Sequence, residues 1–142
     1  MPLRIDFTED PQPEEYQAIL APLRAHNIAN AGDGHYQEIA LLVRGEDSDE
    51  VLGGLYGKLF YEWLFIGLLS VQPQLRGQGI GARLMHMAEE LAREKGCIGM
   101  YLDTFEFQAP AFYSKLGFVE VGQIADYPRG SRRFFMQKRL TD

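Results

Sequence analysis

Residues 76–82 read RGQGIGA, with glycines at every second position (Gly77, Gly79 and Gly81) behind a basic residue and ahead of a helical pattern. Apolar residues on both sides make this loop the hinge of a strand-helix-strand unit. Residues 63–71 (WLFIGLLSV) enter it. Residues 82–95 continue as a helix with Leu84, Ala88 and Leu91 on one face, closed by Gly96, and residues 97–103 (CIGMYLD) form the next strand. A helix crossing between two strands of one sheet makes them parallel neighbours, so the centre of the fold is a βαβ unit.

The segments around it complete a mixed α/β sheet. Residues 37–44, 51–60 and 63–71 are strands with short connections, which favours antiparallel pairing. Residues 3–7 read as a further short strand. A helix start follows at Thr8 to Asp10 with Pro11 and Pro13, and Pro22 is expected to kink or divide that helix. A short helix over 109–116 stops at Gly117, and residues 118–124 and 133–138 close the chain as a hairpin around YPRGS. With 142 residues and no linker, repeat or low-complexity stretch, residues 1–142 read as a single domain.

Charge and composition narrow the function. The formal net charge is −6, and residues 1–50 hold eleven acids against three bases (Arg4, Arg24 and Arg44), so nucleic acid is not an expected partner. The run 63–71 is too short to span a bilayer, and no membrane association is expected. The opening MPLRIDFTEDPQPEEY lacks the charged-then-apolar order of a secretion signal. The single Cys97 suits a reducing compartment, so a cytoplasmic location is expected. His26, His35 and His86 have no ligand spacing, and no metal is expected.

The glycine run speaks for an anion. The first amides of a helix have no intrahelical partner, the helix dipole adds partial positive charge, and removing Cβ atoms lets phosphate oxygens approach. The nucleotide-hydrolase P-loop, Gly-x4-Gly-Lys-Ser/Thr, finds no match. The dinucleotide pattern Gly-x-Gly-x-x-Gly/Ala is met by Gly77, Gly79 and Ala82, with Asp103 near the place of the ribose-binding acid, which keeps a small oxidoreductase open as an alternative. Against it, residues 72–76 intervene where that turn is tight, and too little chain follows for a doubly wound sheet.

Arg76-Gly77-Gln78-Gly79-Ile80-Gly81 also resembles the Arg/Gln-x-x-Gly-x-Gly/Ala loop of the GNAT superfamily of acyl-CoA-dependent N-acetyltransferases. Residues 111–118 (AFYSKLGF) resemble that family's second signature, in the same order and with one strand between the two. The resemblance implies central antiparallel strands, a βαβ unit whose two parallel strands splay apart, and a C-terminal hairpin. It implies acetyl-CoA as acyl donor, with the amides of Arg76, Gly77, Gln78, Gly79, Ile80 and Gly81 on the pyrophosphate. Backbone groups of Leu69 and Val71 would meet the pantetheine arm as an added strand would. Tyr113 matches the family's general acid, a phenol able to protonate the departing thiol. Where some relatives have a glutamate base the matching position is Trp63; Glu62 beside it is a candidate base, with Asp103, Glu106 or a water relay as alternatives. Asp103, Glu106 and Gln108 would line the acceptor pocket. The implied activity is direct acetyl transfer to a primary amine of a small molecule or peptide, with a cationic acceptor favoured by the acidic N-terminal half. The resemblance also implies a homodimer. A non-catalytic CoA-binding module is the remaining alternative, because the base is missing.

Overall fold

A computed structural model describes residues 1–141, which divide into two compact units, Met1–Gly34 and the chain from His35 onward.

The first unit is built on α1 (Pro13–Ala31). Pro13 opens it where a missing N–H costs nothing, the Gln12 N–H donates to Glu15 Oε1 at 2.9 Å, and Gly32 in a left-handed conformation closes it. The helix runs through Pro22 without dividing, forfeiting one backbone hydrogen bond. No residue of α1 is buried, and Tyr16, Ile19 and Leu23 are exposed. Residues 3–7 are not a strand, contrary to their alternating pattern. Such a run becomes a strand only when a neighbour takes its backbone bonds, and none does here.

The second unit holds a six-stranded sheet. β1 (Gln37–Arg44), β2 (Val51–Phe60) and β3 (Trp63–Val71) form an antiparallel meander, as the sequence pattern requires. α2 (Ile80–Glu94) crosses to β4 (Gly99–Phe105), which lies parallel to β3. α3 (Pro110–Lys115) leads to β5 (Val119–Ala125) and β6 (Arg132–Arg139), and the sheet order is β1-β2-β3-β4-β6-β5. No helix among the described residues is long and apolar enough to cross a membrane.

The core lies between α2 and one face of the sheet. Leu84, Met85, Ala88 and Ala92 of α2 meet Leu55, Leu59, Leu64, Ile66, Met100, Leu102 and Met136, all buried. Each large side chain removed from water here contributes about 1.5–3 kcal/mol. Small residues set the strand spacing on the other face. A Cβ on Gly99 would lie 2.5 Å from the Trp63 ring, and one on Gly54 would strike the Leu41 carbonyl.

A polar clamp ties α2 to β6. Lys138 Nζ donates to Glu89 Oε1 at 2.6 Å and to the Leu116 carbonyl at 2.9 Å, while Arg93 donates to the other Glu89 oxygen at 3.1 Å. Burial pushes the Glu89 carboxyl up, but the hydrogen bonds from Lys138 and Arg93 outweigh it and hold the pKa below the usual range. A depressed carboxylate stabilises the fold above its unfolded pKa of about 4.3, and that contribution is lost as pH falls through the folded value. Glu89→Gln is therefore expected to cost about 1–2 kcal/mol in urea unfolding at pH 7, with the difference from wild type shrinking below about pH 4.3.

Candidate active site

The site begins where two parallel strands part. β3 and β4 pair only from Trp63↔Gly99 to Ile66↔Leu102, although β3 continues to Val71 and β4 to Phe105. Beyond Ile66 the β4-facing edge of β3 has no ladder, so backbone groups of residues 67–71 on that edge are open to an extended polar chain. On the opposite edge β3 remains paired to β2, with Leu69 facing Leu55 and Val71 facing Gly53. Leu69 and Val71 send their side chains into the core, which leaves the backbone for recognition.

Beyond β3, a 3-10 turn (Pro73–Leu75) leads into the glycine loop. Gly77 (φ 80°) and Gly79 (φ 76°) both occupy the left-handed region, and Gly79 is the N-cap of α2. The loop turns this way because only glycine enters that region without strain. A Cβ at either position would meet nothing within 4 Å, so the loop faces open space. Among the described residues, no backbone acceptor takes the N–H groups of Gly77, Gln78, Gly79, Ile80, Gly81 or Ala82. Amides without backbone partners at a helix start are donors that an anion can accept from. Gly81 lies against the Phe112 ring, which a Cβ at that position would meet at 3.5 Å, an ordinary packing distance. A groove of about 540 Å³ lies along the same end of the sheet, lined by Leu42, Gly54, Tyr56, Leu68 and Ser70 and reaching Arg76.

Tyr113 lies in α3, the short helix that follows β4. Its ring packs edge-on against Phe112 and Phe118, at centroid distances of 5.1 and 6.1 Å. Burial pushes its phenol pKa up, and the negative charge of Asp103 adds to the rise. Tyr113 therefore keeps its proton throughout the neutral range.

The acidic residues expected in the pocket are engaged elsewhere. Asp103 accepts from Arg133 Nε at 2.9 Å, and Glu106 from Arg132 Nε at 3.0 Å. Gln108 turns back on its own loop, its Oε1 accepting from the Phe105 N–H at 2.8 Å and the buried Thr104 hydroxyl at 3.2 Å. Arg132 and Arg133 at the start of β6 are thus paired with β4 and the loop after it. The structure does not bring Glu62 to this place. It occupies the turn before β3, with φ 64°, at the opposite end of the paired stretch. Four paired residues separate that end from the parting, roughly 13 Å at about 3.3 Å per residue. The charge of Glu62 is felt by Cys97, whose thiol pKa burial raises first. No group of three or more His, Cys, Asp or Glu side chains among the described residues could hold a metal.

Sequence reasoning missed the aromatic side chains Phe105 and Tyr127, which flank Arg133, and Phe107, which stacks on Phe105. The alternation Phe105-Glu106-Phe107 carried a faint signal of two rings on one side.

Comparison with known proteins identifies the family. Residues 3–118 match the model of the acetyltransferase (GNAT) family. The chain belongs to that family. It is 37% identical over 127 residues to an acetyltransferase of Agrobacterium fabrum, covering 89% of this chain and 92% of that one. A crystal structure of an acetyltransferase from Bacillus cereus superposes with a TM-score of 0.82 at 33% identity, covering 95% of this chain and 98% of the other. The PaiA N-acetyltransferase of Thermoplasma acidophilum, solved with coenzyme A, shares the fold at a TM-score of 0.59 and 20% identity, covering 89% of this chain and 73% of that one. Family membership and the mixed sheet together set aside the dinucleotide-binding oxidoreductase.

The electrostatic link between β4 and α3 is open to direct titration. Removing a like charge from beside a phenol lowers its pKa. Asp103→Asn is expected to lower the Tyr113 pKa while leaving it above the ordinary phenol value of about 10, because burial persists. Difference ultraviolet titration of each protein against its Tyr113→Phe counterpart reads the shift.

Proposed function

We propose that this GNAT acetyltransferase uses acetyl-CoA and transfers its acetyl group directly to a primary amine. The observation that carries the reading is the continuity of the open amides at Gly77 to Ala82 with the unpaired edge of β3. A pyrophosphate fits the amides and an amide-bearing pantetheine arm fits the edge, which brings a thioester into the parting between β3 and β4. The coenzyme A bound by the Thermoplasma neighbour, alike in fold, supports the choice of cofactor.

In the proposed reaction the neutral amine nitrogen attacks the thioester carbonyl carbon, and a C–N bond forms. As the C–S bond of the tetrahedral intermediate breaks, the thiol leaves with a proton from Tyr113. The new amide nitrogen sheds its extra proton, and the phenol is reprotonated from solvent. The raised pKa of Tyr113 suits a donor that must hold its proton until sulfur needs it. No carboxylate is assigned as base. Asp103 and Glu106 are paired with arginines and Glu62 lies at the wrong end of β3, so water carries the amine proton away. An ordinary alkylamine with a pKa near 10.4 is then neutral in less than about 0.1% of molecules at pH 7, and the rate rises with pH through the neutral range.

The unpaired, buried Cys97 supports a reducing, cytoplasmic setting. The apolar side chains that α1 exposes, Tyr16, Ile19 and Leu23, support a homodimer.

Two variants separate binding from chemistry. Tyr113→Phe is expected to lower kcat by about 10²-fold or more, with coenzyme A affinity essentially retained. Gly79→Val forces a β-branched residue into the left-handed region and crowds the amides, and is expected to weaken coenzyme A binding at least about tenfold. Thiol release over an amine panel and calorimetric titration with coenzyme A provide the readouts. Undiminished turnover in Tyr113→Phe removes the phenol from the mechanism. Cofactor binding without thiol release from any amine leaves a non-catalytic CoA-binding module.

A further inference from the structure

The loop after β4 presents aromatic surface that neither the core nor the proposed chemistry uses. Phe105 and Phe107 stack with ring centroids 5.1 Å apart and planes 11° from parallel. Tyr127, from the β5–β6 turn, stands 5.5 Å from Phe105 at 49°, forming a wall beside the stack. Phe107 is 63% exposed and Tyr127 42%. Under this surface lies Arg133, its guanidinium 5.0 Å from the Phe105 ring and 4.7 Å from the Tyr127 ring, held by Asp103. The order is therefore fixed: the Asp103–Arg133 pair, then Phe105, then Phe107, whose outer side faces solvent.

The position matters as much as the composition. Phe105 is two residues beyond Asp103, so both project from the same face of β4, about 7 Å apart along the strand. Both lie beyond Leu102, the last residue of β4 that pairs with β3, which puts the aromatic stack on the parted end of β4 where the proposed reaction takes place. The local charges give no preference for a polycation, because Arg133 and Arg132 occupy Asp103 and Glu106. What remains to recognise a substrate is a flat π-surface with a wall, already rigidified by an arginine on its inner side.

We propose that Phe107, backed by Phe105 and walled by Tyr127, is a stacking subsite for the acceptor, and that the acceptor is a primary amine borne on a planar aromatic or heteroaromatic ring. The proposal rests on the acetyl-transfer reading and assigns selection of the acceptor to its ring rather than to its charge. A ring stacked on an aromatic side chain gains both apolar burial and favourable π-geometry, which a flexible polyamine does not match.

Tryptamine and spermidine serve as probes. Acetyl transfer by the wild type is expected to favour tryptamine over spermidine at least about tenfold in kcat/KM. Phe107→Ala is expected to raise the KM for tryptamine about tenfold, and Phe107→Trp to restore it, while coenzyme A affinity stays put in both. Calorimetry of tryptamine with the coenzyme A-loaded protein measures the same subsite without turnover. A loss of tryptamine binding in Phe107→Ala supports the subsite even if no acetyl transfer occurs, and that outcome would overturn only the transferase reading. Preference for spermidine, no tryptamine binding to the wild type, or tryptamine affinity indifferent to Phe107→Ala overturns the subsite.

Discussion

Four residue pairs, Trp63 to Ile66 against Gly99 to Leu102, hold β3 and β4 side by side before the strands part. Keeping them paired there requires the absence of a side chain at Gly99, under the Trp63 ring, and the buried Leu64, Ile66, Met100 and Leu102 beneath. α2 packs on that same buried face, so its N-terminus is held at the end of the sheet where the strands diverge. The unpaired edge of β3, the open amides of the glycine loop and the phenol of Tyr113 all follow from this packing. A sheet that stayed zipped to Val71 and Phe105 would fill its own edge and leave no place for an extended ligand.

Charge at the site is settled by pairing rather than by composition. The acidic balance of the chain suggests a cationic substrate, yet Asp103, whose charge raises the Tyr113 pKa, and Glu106 are committed to Arg133 and Arg132. The Asp103–Arg133 pair is partly buried, with side-chain exposures of 20% and 23%, and three aromatic rings lie within 6 Å of the guanidinium. In such surroundings a paired arginine is a fixture of the site, orienting Asp103 and stiffening the rings above it. The N-terminal unit, which carries much of the acidity among its exposed residues, takes no part in that pairing.

Much of the fold was legible in the sequence where pattern and punctuation agree. β1, β2 and β3 have the bounds that strand-length apolar segments with short connections imply, and the crossover through α2 dictates the parallel pairing. The glycine loop could be located because helix starts and glycine spacing are local properties. Residues 3–7 failed because a strand is a property of two segments, and alternation reports only one. Pro22 does not divide α1, because a helix that begins and ends with good caps tolerates one missing hydrogen bond. The pairs Asp103–Arg133 and Glu106–Arg132 join residues 30 and 26 positions apart, a distance that no local pattern encodes. For the same reason Gln108 looked like a pocket residue until its amide was seen closing its own loop.

The central claim is that a diphosphate-bearing cofactor occupies the amides at the start of α2. Amide hydrogen exchange of the wild-type protein, read residue by residue with and without coenzyme A, tests it most directly. Slowed exchange concentrated at Gly77 to Ala82 and along the open edge of β3 is the expected result. Unchanged exchange at those amides under saturating coenzyme A, or protection confined to another part of the sheet, would contradict it.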